Sequence, residues 1–141
     1  MDSTGSIAAA RGVAALFEQV GRNIYPDRGP KTLHARQWAA LRYFGRAGQR
    51  ARTVTGLSRY IGITMAPASR SVASLVRLGL LRAEDNQPDR KAVIYELTDH
   101  GRLTLGKDPL DLFAQKIAAL PPESRQHLTR ALELLLDLQT D

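Results

Sequence analysis

The stretch that decides the fold is residues 55–79, TGLSRYIGITMAPASRSVASLVRLG. It carries two short helical patterns separated by a break at Gly62. In the first, Thr55 is the expected N-cap, and Leu57 and Ile61 recur four apart, which sets both on one helix face. In the second, Thr64 is the expected cap of a helix reaching Leu78, with Ala68, Val72 and Leu75 as its inward face. Pro67 falls in the first turn, where its missing N–H breaks no helical hydrogen bond. Arg70, Ser71, Ser74 and Arg77 lie elsewhere on the wheel, and Gly79 stops the helix. Two short helices joined by a tight turn make a helix-turn-helix, whose second helix can enter the major groove of DNA.

Outward on the C-terminal side the period changes. Leu80–Ala83 and Ala92–Thr98 read as extended, the latter with Val93, Tyr95 and Leu97 on one face. The polar segment Glu84–Lys91 between them makes a long-tipped hairpin, so the helix-turn-helix acquires a wing with Arg90 and Lys91 near its tip. On the N-terminal side, a helix is expected from about His34 to Phe44, with Trp38, Leu41 and Phe44 pointing inward. Further out, apolar residues at 7, 10, 13, 14, 17, 20 and 24 mark another helix, closed by Tyr25-Pro26-Asp27-Arg28-Gly29-Pro30. Past the wing, Leu110, Phe113, Ile117 and Leu120 form one stripe. After Pro121-Pro122, Leu128, Ala131, Leu132, Leu135 and Leu138 form a second. These outer helices hold more apolar face than a small central module can cover. They form their own bundle or pack against a second copy of the chain.

Composition narrows the function. The 141 residues contain no cysteine, which excludes disulfides, thiolate metal sites and thiol catalysis. His34, His100 and His127 are too scattered to suggest a metal site, and no cofactor motif is present. No nucleophile–base pair or phosphate-cradling glycine loop points to an enzyme. No apolar run approaches the roughly 18 residues of a membrane span, and the N-terminus lacks a basic cluster, so a cytoplasmic protein without a membrane partner is expected. The net charge of +6 is concentrated: residues 42–91 carry +7 while residues 92–141 carry −3. One basic surface in the middle of the chain fits a polyanion such as double-stranded DNA.

Several short motifs add a family resemblance. Trp38-Ala39-Ala40-Leu41-Arg42, Leu57 with Ile61-Gly62-Ile63, and Gly79-Leu80-Leu81 lie at matching places. Asp89-Arg90-Lys91 followed by Leu97-Thr98-Asp99-His100-Gly101 matches a wing and its exit into a helix. Together they resemble the MarR-type winged helix-turn-helix transcriptional regulators, over about residues 10–138. The resemblance implies a mainly α fold with a small β-hairpin wing. It implies an N-terminal dimerisation helix and linker over 1–30, a DNA-binding domain over 31–101 and C-terminal dimerisation helices over 102–141. It further implies a homodimer that binds a pseudo-palindromic operator and acts as a repressor released by a small, often aromatic, acid. The alternative is a winged-helix module that contacts other proteins and has no DNA target.

Site residues follow from both readings. Ala66, Pro67, Ser69, Arg70 and Ser71 are the expected recognition-helix contacts, with Arg70 suited to guanine. Asp89, Arg90 and Lys91 form the wing set, where Asp89 is expected to shape the loop and the two cations to enter a narrow minor groove. Lys91 stands where the family usually has arginine, and Ser74 where it often has a basic residue. Arg50, Arg52, Arg59 and Arg77 are candidate phosphate contacts. Arg11, with Phe17, His34 and Trp38 as neighbours, is the candidate effector pocket.

Overall fold

The computed structural model describes residues 3–26, 32–85 and 92–139. Helix α1 spans Ser3–Ile24, α2 Ala35–Arg46, α3 Val54–Ile61 and α4 Met65–Arg77. Strands β1 (Leu81–Ala83) and β2 (Tyr95–Leu97) follow, then α5 (Asp99–Leu105), α6 (Pro109–Ala118) and α7 (Pro122–Gln139). The architecture is mainly helical with a two-stranded antiparallel hairpin. None of the described helices is long and apolar enough to cross a membrane. The chain divides into two compact units, one up to Asp108 and one over Pro109–Asp141. Helix α5 lies in the first unit and packs against α2 and β2.

In the first unit, α2 is the axis of the core. Its pattern turns Trp38, Leu41 and Phe44 inward with Ala40 and Tyr43, and it packs against α3, α4, α5 and β2. Leu57 of α3, Ala68, Val72 and Leu75 of α4, and Leu80, Leu81 and Leu97 of the wing root complete the buried cluster. Leu41, Leu57, Leu75 and Leu81 are fully buried, each contributing roughly 1.5–3 kcal/mol of transfer free energy. The expected inward residues of α2 and α4 are all buried, joined by Ala40 and Tyr43 on α2 and by Ser71 on α4.

Capping departs from expectation at α3. Thr53, not Thr55, is the N-cap, and its hydroxyl accepts the Gly56 N–H at 3.0 Å. The helix begins two residues earlier because Thr53 alone has extended backbone, while Thr55 already lies in the first turn. Gly56 is required there for a second reason. A Cβ would stand 2.2 Å from the Ala51 carbonyl and 2.3 Å from the Tyr43 hydroxyl, which itself donates to Ala51 O at 2.5 Å. Thr64 does cap α4 by position, but without a side-chain hydrogen bond.

The two paired strands at the root of the wing are short. Leu81 pairs with Leu97, Arg82 with Glu96 and Ala83 with Tyr95. Val93 lies before the strand and is exposed, so the regular face is shorter than the alternation predicts. The Leu97-Thr98-Asp99-His100-Gly101 motif acquires a physical meaning here. Thr98 Oγ1 accepts from Gly101 N–H at 2.9 Å and donates to the Gly79 carbonyl at 2.5 Å, joining the start of α5 to the turn after α4. Gly101 lies so close to Leu80 that a Cβ would sit 2.1 Å from its carbonyl oxygen. Only glycine lets α5 reach the wing root.

Helices α1, α6 and α7 contrast with this core. Ile7, Val13, Leu16, Phe17 and Val20 of α1 are exposed. In the second unit, Leu110, Leu112, Leu134, Leu135 and Leu136 are exposed as well.

Candidate nucleic-acid interface

Helix α3 ends where Gly62 adopts left-handed backbone (φ 77°), a conformation costly for residues with a Cβ. The N–H groups of Gly62 and Ile63 both donate to the Ser58 carbonyl, and Ser58 Oγ donates back to the Ile63 carbonyl at 2.6 Å. Three residues, Gly62–Thr64, thus separate α3 from α4 in a fixed turn. On α4 the buried stripe is Ala68, Ser71, Val72 and Leu75. The outward stripe is Ala66, Ser69, Arg70, Ala73 and Arg77, at spacings of three, four and seven. Pro67 is half-buried at the margin.

Ser71 requires a correction. It is 6% exposed and lies three residues after Ala68 and four before Leu75, so it belongs to the core face and cannot reach a base. Met65 and Ala73 are also exposed, and Met65 opens the helix with 48% of its surface free. Ala73 stands three and four residues beyond Arg70 and Ser69 on the same face. Ser74 is held by Gln37 Nε2, which donates to its hydroxyl at 2.6 Å and ties α4 to α2.

The arginines of the basic block separate into two groups. Arg50, Arg59, Arg70 and Arg77 are exposed. No ion pair is formed by these four among the described residues. Arg52 is half-buried and works locally: its Nε donates to the Tyr95 carbonyl at 2.9 Å, while Tyr95 N–H donates to the Arg52 carbonyl at 2.9 Å. It fastens the outer edge of β2 as an added strand would. Arg82 is neutralised by Glu96, its cross-strand partner, and by Asp85 at 3.3 Å. Arg42 is neutralised by Asp108. Burial opposes its charge, but the hydrogen bonds it donates to Asp108 and Tyr25, with their Coulomb attraction, outweigh that and raise its pKa above the ordinary arginine value. Burial likewise raises the Tyr43 phenol. Asp89, Arg90 and Lys91 lie outside the described residues.

The four candidate pocket residues do not share one environment. Trp38 belongs to the core at 8% exposure, whereas Arg11 and Phe17 lie on exposed α1 and His34 is exposed at the N-cap of α2. His34 N–H is held by Gln37 Oε1 at 3.0 Å, a structural role. Among the described residues, no group of three His, Asp or Glu side chains is placed to hold a metal ion.

Residues 31–92 match the model of the MarR family. Over this segment the chain is similar to the MarR family. That family is one of transcriptional regulators, not of enzymes. No curated protein matches the chain by sequence. Among solved structures, the chain is similar to AbsC, a MarR family transcriptional regulator from Streptomyces coelicolor, with a TM-score of 0.76 and 20% identity, covering 100% of this chain and 98% of that one. It is similar to FabT from Streptococcus pneumoniae, solved in complex with DNA, with a TM-score of 0.74 and 19% identity, covering 96% and 98%. It is also similar to MarR from Staphylococcus aureus, solved with salicylate and kanamycin, with a TM-score of 0.69 and 15% identity, covering 98% and 92%. At these identities the likeness is one of fold.

Proposed function

We propose that this chain is a homodimeric, sequence-specific DNA-binding regulator that represses transcription by occupying a pseudo-palindromic operator. The observation that carries the proposal is the two-sided character of α4. Its inner face is sealed by Ala68, Ser71, Val72 and Leu75, while Ala66, Ser69, Arg70 and Arg77 face outward with both arginines exposed. Small groups on that face permit close approach, and Arg70 supplies the fork that pairs with guanine O6 and N7. Arg50, Arg59 and Arg77 are suited to phosphate, which sets affinity and register without reading sequence. Arg90 and Lys91 would extend the contact into the neighbouring minor groove, with Asp89 shaping the loop that carries them. The DNA complex of FabT supports this use of the fold.

The exposed apolar stripes of α1, α6 and α7 support the dimer. Exposed apolar residues repeating at helical spacing on each of these helices favour burial against a partner of the same kind. A small organic acid as the releasing effector is supported by the salicylate complex of the staphylococcal MarR. Trp38, as a core residue, is withdrawn from the pocket, leaving Arg11, Phe17 and His34 as its candidate lining.

Fluorescence anisotropy with a duplex selected from a random pool tests the reading. Binding should weaken steeply with salt, by about 0.9 in the logarithmic slope for each phosphate contact. An intact dimer that shows no preference for any duplex would instead favour the protein-contact module.

A further inference from the structure

We propose that Arg42 is a positioning residue for operator reading: a clasp that ties together both chain exits of the winged module and so sets which half-site spacing the dimer accepts. The inference rests on the dimeric reading above. Arg42 projects from α2, the axis of the core, and its guanidinium makes a two-pronged pair with Asp108, Nε to Oδ2 at 2.5 Å and Nη2 to Oδ1 at 2.9 Å. Asp108 is 4% exposed and is the last residue of the first unit; the second begins at Pro109. The same Nη2 donates to the Tyr25 hydroxyl at 2.7 Å, and the guanidinium carbon lies 5.7 Å from the centre of the Tyr25 ring. Tyr25 directly follows α1 and packs against the core. One side chain therefore holds the residue where the N-terminal helix gives way to the module and the residue from which the C-terminal helices depart.

Stability alone does not account for such a cluster. A buried ion pair gains little over apolar residues of similar volume, because desolvation offsets most of the attraction. What a planar guanidinium adds is direction: two parallel hydrogen bonds to one carboxylate define an orientation that a hydrophobic contact leaves loose. Pro109 stiffens the exit further, since proline fixes its own φ and restricts the residue before it. The cluster adds nothing to phosphate attraction, because Arg42 is neutralised by Asp108. Its effect should therefore appear in geometry, in how well the two reading helices match a given separation.

The test uses the full chain and two duplexes: the operator selected from a random pool, and the same operator with two base pairs inserted between the half-sites. The insertion turns one half-site by roughly 70° relative to the other. Wild type should prefer the selected spacing by at least about 100-fold, the gain expected when both heads engage at once. For Asp108→Asn, the preference should fall to about 10-fold or less, chiefly through lost affinity for the selected spacing. For Tyr25→Phe, which removes one hydrogen bond, it should fall by about threefold. A variant that merely unfolds in part loses affinity for both duplexes by the same factor, and an unchanged ratio in Asp108→Asn would overturn the clasp. Should Asp108→Asn fail to fold, the ratio in Tyr25→Phe decides by the same criterion. Equal affinity of wild type for both spacings would instead overturn the dimeric reading, and the clasp with it.

Discussion

The central module and the terminal helices use apolar residues in opposite ways. In the module, Leu41, Leu57, Leu75 and Leu81 are fully buried and form one core around α2, although Tyr60, Leu78 and Leu103 remain exposed. In α1, Val13 and Leu16 are exposed by more than half, as is Leu136 of α7. A module with a sealed leucine core can fold around α2, whereas α1 and α7 carry whole apolar stripes in water. Under the proposed function, the first region reads DNA and the second assembles the dimer.

The contrast can be broken most severely at the assembly face. Val13→Glu combined with Leu135→Glu should dissociate the dimer and lower operator affinity by about 100-fold or more, because simultaneous engagement of two half-sites is lost. Circular dichroism should show the helices retained, and size-exclusion chromatography with light scattering should show the mass halved. Next in size is the module's own core. Leu57→Ala should cost roughly 2–5 kcal/mol in urea unfolding, whereas Arg59→Ala, exposed on the same helix, should stay within about 0.5 kcal/mol.

At the reading face, Arg70→Ala should cost roughly 1–3 kcal/mol on the selected operator and relax preference at one base pair. Equal losses on selected and unrelated duplexes would assign Arg70 to phosphate. The smallest effect separates two neighbouring threonines. Thr53→Ala should lower stability by about 1 kcal/mol through loss of the cap, while Thr55→Ala should change it by no more than about 0.5 kcal/mol.

Much of the module was legible in the sequence because it depends on local periodicity. Ala68, Val72 and Leu75 declare the inner face of α4, and Gly62 and Gly79 mark turns that the backbone confirms with φ values of 77° and 75°. Ser71 was misread since a hydroxyl suggests the surface, although its spacing from Ala68 and Leu75 places it inside. The Thr53 cap was obscured by a second threonine two positions on. Other features have no local signature. Arg42 and Asp108 are 66 residues apart, and Arg52 and Tyr95 are 43 apart, so only the folded chain shows that two members of the basic block are structural. Gly101 is similar: its need follows from the Leu80 carbonyl, twenty-one residues earlier in the chain.

Sedimentation equilibrium of the chain, alone and with its selected operator, tests the central claim most directly. The account predicts a protein mass of twice 15.5 kDa in both cases, with both copies on one duplex. A chain that remains at 15.5 kDa and still binds the selected operator with undiminished preference would contradict it.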